Sequence, residues 1–268
     1  MKVAIVKNPR KQSQLVAQQL EKLLLDQGIE IDGTNPEVVI SVGGDGTMIS
    51  AFHKYQAQLD RVRFIGVHTG HLGFYTDWRN FDLKKMVQAL TQEKPLTSSY
   101  PLLELIVITD NEPRHFLALN EASIKRISKT LVAKVAIKDE LFETFRGDGL
   151  CVSTPTGSTA YSKSLGGAVI HPRLKALQLT EVASINNRVF RTIGSPVVIA
   201  PDEWITIEPA DQHNLILIVD GKRVPVDHVQ KVIYRISKQE IKFDKFGHHH
   251  FWSRVKDSFI GQVDDESF

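Results

Sequence analysis

Val38-Val39-Ile40-Ser41-Val42-Gly43-Gly44-Asp45-Gly46-Thr47-Met48-Ile49 decides how this chain is read. An apolar, β-branched run enters a glycine-rich turn, and a helix-like segment leaves it. Glycines at such a turn let backbone N–H groups approach an anion closely, usually a phosphate. Asp45 is the odd residue, because a carboxylate beside phosphates is repelled. It makes sense if it accepts a proton from an attacking hydroxyl, or if it helps hold a metal that neutralises the phosphates. A tight turn whose Asp caps the next helix is the plainer alternative. No G-x-x-x-x-G-K-[ST] run occurs. Residues 44–49 match only the first two glycines of G-x-G-x-x-G, with Ile49 in the third place, so a standard dinucleotide fingerprint is not expected.

Outward from this turn, Val3–Val6, Glu37–Val42 and Arg63–Val67 read as buried strands and Ile29–Ile31 as a short one. Helical spacing joins Val16, Leu20, Leu23 and Leu24, and again Leu83, Met86, Val87 and Leu90, with another helix expected over Thr47–Tyr55. Strand–helix alternation predicts an α/β domain, a doubly wound parallel sheet over residues 1–98. Beyond Ser98 the texture becomes short alternating strands split by turns, including Phe116–Ile124, Leu131–Ile137, Leu215–Val219 and Val232–Ile236. This predicts an all-β, antiparallel, sandwich-like domain over 99–249. The tail, 250–268, is expected to return to the first domain as a helix.

A chain of 268 residues suits one large or two modest domains, and a net charge of +2 gives no electrostatic case for a nucleic-acid partner. The single cysteine, Cys151, excludes an internal disulfide, suits a reducing compartment and reads as a buried hydrophobe. Met1–Val6 has strand rather than signal-peptide character and no apolar run would span a bilayer, so a soluble cytoplasmic protein without a membrane partner is expected. His248-His249-His250 has no acidic or cysteine neighbour and reads as a surface run.

A second constellation follows Arg146-Gly147-Asp148-Gly149. Ser153-Thr154-Pro155-Thr156-Gly157-Ser158-Thr159-Ala160-Tyr161-Ser162 is dense in hydroxyls, with Lys163 as the nearby cation. Hydroxyls that both donate and accept, beside a ring able to flank a base, suit a sugar or nucleoside. Alternatively, the run satisfies its own backbone. Asn120-Glu121 interrupts an apolar strand, and Asn can pair with a purine through its amide. It also reads as an ordinary strand end. Asp220-Gly221 signals a hairpin turn.

In this order, Gly43-Gly44-Asp45-Gly46-Thr47, Asn120-Glu121, Asp148-Gly149, the Ser153–Tyr161 run and Asp220-Gly221 resemble the NAD kinase family. The glycine turn also resembles that of diacylglycerol and sphingosine kinases, and the Ser153–Tyr161 run separates the groups. The resemblance implies an α/β domain followed by a β domain. It further implies transfer of the terminal phosphoryl group of ATP, or of inorganic polyphosphate, to the 2′-hydroxyl of the adenosine ribose of NAD. Asp45 would be the general base. Gly43, Gly44, Gly46 and Thr47 would face the donor phosphates, with Mg²⁺ on those phosphates and no direct protein ligand to the metal. Contacts to the dinucleotide would come from Asp45, Gly46, Asn120, Glu121, Arg146, Asp148, Thr159, Ala160, Tyr161, Ser162, Lys163, Ser164, Ala183 and Asp220. Several relatives carry Gln where this chain has Lys222, so no ligand role follows for that position. Gly147 would leave the pocket wall open, and NADH acceptance is the expectation drawn from it. A homodimer or homotetramer joined through the β domain is also implied. Two rival readings are a lipid kinase and a non-catalytic dinucleotide sensor.

Overall fold

A computed structural model describes residues 1–70, 73–79, 82–92, 96–245 and 250–261. The chain divides into two units. One comprises Met1–Ser99 with the described residues 241–261, and the other is Tyr100–Glu240.

In the first unit the elements run β1 (Lys2–Lys7), α1 (Lys11–Asp26), β2 (Glu30–Ile31), β3 (Val38–Gly43), α2 (Asp45–Tyr55), β4 (Arg63–His68), β5 (Trp78–Arg79) and α3 (Leu83–Gln92). Strands β2, β1, β3 and β4 lie side by side in that order, all parallel, and β5 pairs with β4. All six residues of β3 are buried. Val38, Ile40 and Val42 share a core with Leu20 and Leu24 of α1 and with Met86 and Val87 of α3. Val39 and Ser41 face the opposite side by the two-residue period of a strand. The buried strand read over 37–42 is therefore one covered on both faces.

Residues 241–245 also belong to this unit, whereas the sequence reading carried the second domain to 249. Phe243 pairs with Phe64 of β4, and Asp244 accepts a hydrogen bond from Thr97 (2.8 Å) and forms an ion pair with Arg63 (3.0 Å). Asp244 is spent on these contacts.

The second unit holds most of β6 (Leu96–Ile108), then β7 (Arg114–Ala118), β8 (Glu121–Arg126), β9 (Leu131–Ile137), β10 (Glu140–Gly147), β11 (Gly149–Ser153), the short α4 (Tyr161–Ser164), β12 (Leu177–Val182), β13 (Val197–Ile199), β14 (Trp204–Pro209), β15 (Leu215–Val219), β16 (Lys222–Val224) and the first part of β17 (Lys231–Lys245). One antiparallel sheet has the order β13-β12-β11-β8-β15-β16, and a second array runs β10-β9-β14-β17. Leu105, Ile124, Val135, Phe145, Val152, Ile205 and Tyr234, drawn from both, join in one core. Cys151 is buried within β11, and burial pushes its thiol up to about 12.

Three local expectations change. The helix after the glycine turn begins at Asp45 rather than Thr47. The single strand expected over 116–124 is two, separated at Leu119-Asn120, because those two backbones bind a carboxylate elsewhere in the chain. Strands β10 and β12 also form, in stretches that the sequence reading did not single out as strands.

Candidate functional site

The glycine turn lies where β3 meets α2. A side chain at Gly43 would collide with Thr47, whose Cβ would stand 2.9 Å from the added carbon, so the turn closes only with glycine there. At Gly44 and Gly46 an added carbon would meet nothing within 4 Å. Thr47 N–H donates to the Gly44 carbonyl at 2.9 Å, while the first N–H groups of α2 have no intrahelical acceptor and carry the positive end of the helix dipole. Beside the turn is a cavity of about 360 Å³ lined by Asn8, Arg10, Gln12, Ser13, Gly43, Gly44, Thr69 and Gly70. Among the described residues, Thr47 Oγ1 is buried without a hydrogen-bond partner. Backbone donors at the start of a helix, an exposed arginine and the Ser13–Thr69 hydroxyl pair are chemistry suited to an anion.

Asp45 heads α2 with its carboxylate clamped from one side. The N–H groups of Phe74 and Tyr75 donate to its two oxygens at 2.9 and 3.0 Å. Gly73 comes so close that an added Cβ would lie 2.6 Å from Asp45 Cγ. Each carboxylate oxygen holds one amide and keeps a second lone pair.

The second constellation is built by strand register in the Tyr100–Glu240 unit. Pairing of β11 with β8 sets Ser153 opposite Glu121, so the loop leaving β11 meets the entry of β8. Thr154 Oγ1 donates to the Leu119 carbonyl (2.6 Å) and accepts the N–H of Gly157 (3.0 Å), and Thr156 Oγ1 donates to the same carbonyl (3.0 Å). Ser158 Oγ donates to Pro155 O (2.6 Å) and accepts from Ile170 N (2.8 Å). Ser162 is fully buried and its hydroxyl accepts from Gln178 (2.9 Å). The hydroxyls of Thr154, Thr156, Ser158 and Ser162 thus hold the loop itself. Among the residues expected to meet a ligand, Thr159, Ala160, Tyr161 and Lys163 are partly exposed and Ser164 is exposed.

Asp220 sits in the β15–β16 hairpin, at the turn its Asp-Gly pair signals, with positive φ at Asp220 and Gly221. Its buried carboxylate accepts from the N–H groups of Leu119 (2.8 Å), Asn120 (2.7 Å) and Glu121 (3.3 Å). It therefore fixes the backbone at Asn120-Glu121. Burial, then the charge of Asp220, push the Glu121 carboxyl up to about 7, against the opposing hydrogen bond from the Tyr161 backbone. Glu121 Oε2 is buried without a partner among the described residues. Lys222 follows the turn, exposed.

Arg146, Gly147, Asp148 and Ala183 form a second group. The N–H of Asp148 donates to Val182 O at 2.9 Å and that of Ile185 to Arg146 O at 2.7 Å. The Arg146 guanidinium stands 5.3 Å from the centre of the Phe190 ring. Asp148 is exposed, and Ala183 adopts a positive φ of 48°. An added carbon at Gly147 would lie 2.8 Å from Ala183 O and 2.9 Å from Val182 O. Close backbone approach, not an open pocket wall, accounts for that glycine, which removes the basis on which NADH acceptance was expected. Of the histidine run, His248 and His249 lie outside the described residues.

Sequence reasoning missed Lys125, Phe74, Tyr75 and Arg254. Lys125 Nζ donates to Tyr161 OH at 2.6 Å and lies 4.7 Å from the ring centre, so Lys163 is not the one cation near that loop. Strand register could have placed Lys125; nothing local to Arg254 marks it. Among the described residues no group of His, Cys, Asp and Glu is arranged to hold a metal, and no helix is long and apolar enough to cross a membrane.

The family model for the ATP-NAD kinase N-terminal domain matches residues 31–94, and that for the C-terminal domain matches 119–245. The NAD kinase of Lactobacillus gasseri is 64% identical over 263 residues, covering 98% of each chain. Among solved structures, yeast NADH kinase complexed with NADH superimposes with a TM-score of 0.84 at 19% identity, over 100% of this chain and 89% of that one. An Archaeoglobus fulgidus NAD kinase in complex with ATP gives 0.74 at 24% identity, over 91% and 94%. The distant structures share the fold, and the close relatives and family models settle the descent: this chain is an enzyme of the NAD kinase family.

Proposed function

We propose that the chain transfers the terminal phosphoryl group of ATP to the 2′-hydroxyl of the adenosine ribose of NAD, producing NADP and ADP. The observation that carries this reading is the Asp45 carboxylate, held by two amide N–H groups beside an anion-binding turn. Binding alone would gain nothing from a carboxylate next to phosphates. A ribose hydroxyl is a weak acid, so its proton passes to Asp45 late, as the bond from O2′ to phosphorus forms and the bond to the ADP oxygen breaks. Gly43, Gly44, Gly46 and Thr47 receive the donor phosphates, with Arg10 at the cavity wall as a cation. Both Asp45 oxygens already hold amides and the cavity offers neutral oxygens, a donor set suited to Mg²⁺ that arrives on the phosphates without a protein carboxylate. Such a metal neutralises phosphate charge when bound.

In the second unit the reading assigns the dinucleotide to Asn120, Glu121, Arg146, Asp148, Thr159, Ala160, Tyr161, Lys163, Ser164 and Ala183, whereas Ser162, fully buried and bonded to Gln178, holds the loop instead. The free, buried oxygen of Glu121 supports an acceptor for a ligand hydroxyl or amide. Asp220 acts through the backbone it binds. A lone buried thiol suits a reducing, cytoplasmic setting. The end strands β13 and β16 offer edges for a homodimer or homotetramer.

The test is product formation from NAD and Mg-ATP, with polyphosphate, diacylglycerol and sphingosine run in parallel. NADP carrying a 2′-phosphate is expected from ATP. Phosphorylated lipid without NADP would replace this reading with that of a lipid kinase.

A further inference from the structure

The C-terminal helix α5 (Phe251–Phe259) carries one buried residue, Arg254, in a segment that sequence reading left without a function. Its Nη1 donates to the carbonyls of Gly73 (3.2 Å) and Phe74 (2.8 Å), and its Nη2 pairs with the Asp77 carboxylate. Those two carbonyls belong to the same peptide groups whose N–H bonds clamp Asp45. Peptide 73–74 offers its oxygen to Arg254 and its N–H, through Phe74, to Asp45 Oδ2. Peptide 74–75 offers its oxygen to Arg254 and its N–H, through Tyr75, to Asp45 Oδ1. In a trans peptide the C=O and N–H point in opposite directions. The guanidinium and the carboxylate therefore face each other across two amides, which lie between a positive and a negative charge.

We propose that Arg254 is a positioning residue for Asp45, acting through these two peptides. A cation on the carbonyl side polarises each amide and strengthens the donor on the other side, so both bonds to Asp45 gain. Two bonds from one guanidinium also fix the orientation of both peptides, and hence of the carboxylate they grip. Asp77 orients the guanidinium in turn. The Phe74 ring lies 6.2 Å from Phe251 and 5.8 Å from Phe259, stacked on the latter, so α5 seats the clamp by packing as well. Gly73 leaves the room that the arrangement needs, because a side chain there would overlap Asp45. Burial pulls the guanidinium below its ordinary value while the charge of Asp45 acts to raise it, a direct electrostatic link between the two ends.

This inference rests on Asp45 being the general base, and the test separates the two claims. Arg254→Ala, Arg254→Lys, Asp77→Asn and Asp45→Asn are compared for kcat and KM in NADP formation, for NAD affinity and for thermal stability, per folded enzyme. Ser258→Ala, on the exposed side of α5, is the control and keeps wild-type kinetics. Arg254→Ala is expected to lower kcat by about tenfold to a hundredfold while KM for NAD changes by less than about threefold, the pattern of a misplaced catalytic group. Arg254→Lys and Asp77→Asn lose less, with the same split, and they carry the test if Arg254→Ala does not fold. Millimolar guanidinium added to Arg254→Ala restores part of kcat, which a purely structural role would not allow. Wild-type kcat in any folded Arg254 variant, or a loss confined to KM, overturns the proposal. If Asp45→Asn is inactive while the Arg254 variants are not, the base stands and only the positioning claim falls. If Asp45→Asn keeps full kcat, the base reading itself fails.

Discussion

Replacing Glu121 by Gln should make this protein less sensitive to pH, and the size of the effect follows from its burial. The carboxyl titrates at about 7 in the folded chain against an ordinary 4.5, first because it is buried and second because Asp220 lies close. Between those two values the folded state holds a proton that the unfolded state has released. Stability is therefore fully present below about pH 4.5 and is lost as pH rises through about 7. At about 1.4 kcal/mol for each pKa unit, that gap corresponds to about 3 kcal/mol. Gln keeps the shape and cannot ionise, so the variant should match wild type at about pH 4 and exceed it by up to about 3 kcal/mol at pH 8. Glu143, also raised by burial, contributes with the same sign in both proteins and drops out of the difference. The assay is urea denaturation of ligand-free protein across this range, followed by Trp204 in a background without the other two tryptophans, because Trp204 reports on the unit that contains Glu121. A difference between wild type and variant that does not change with pH would refute the reasoning.

Two further substitutions probe the loop that faces Asn120. Thr154→Val preserves shape but strands the Gly157 N–H and leaves the Leu119 carbonyl with the Thr156 hydroxyl alone, and should cost about 1–3 kcal/mol, read as a lower unfolding temperature by calorimetry. Gly157→Ala would bring a methyl within 2.6 Å of Asn120 Cα, so the loop must shift. It should lose about 1–3 kcal/mol and bind NAD more weakly by titration calorimetry.

Much of this molecule is legible where a single local rule governs. The buried β-branched run of β3 and its glycine turn declare a strand–turn–helix unit, and Asp220-Gly221 declares its hairpin. The Ser153–Tyr161 run stands out in sequence, where its hydroxyls suit either a sugar or the loop's own backbone, and the structure spends those of Thr154, Thr156, Ser158 and Ser162 within the chain. Composition shows that hydroxyls are present, whereas only register shows that the Leu119 carbonyl is there to receive them. Gly147 teaches the same lesson, since its missing side chain is explained by the backbone of residues 182–183 in β12 and just beyond. Arg254 lies beyond local reasoning altogether. It acts on peptides about 180 residues earlier, and its own neighbours in sequence describe an ordinary amphipathic helix.

The central claim is that Asp45 takes the proton from the acceptor hydroxyl, and Asp45→Asn tests it most directly. Asn keeps one oxygen for the Phe74 and Tyr75 amides but is no base. The measurement is single-turnover NADP formation from saturating NAD and Mg-ATP, together with the dissociation constant for NAD. The account predicts a rate at least about a hundredfold lower with NAD still bound at near wild-type affinity. A single-turnover rate equal to wild type would contradict it.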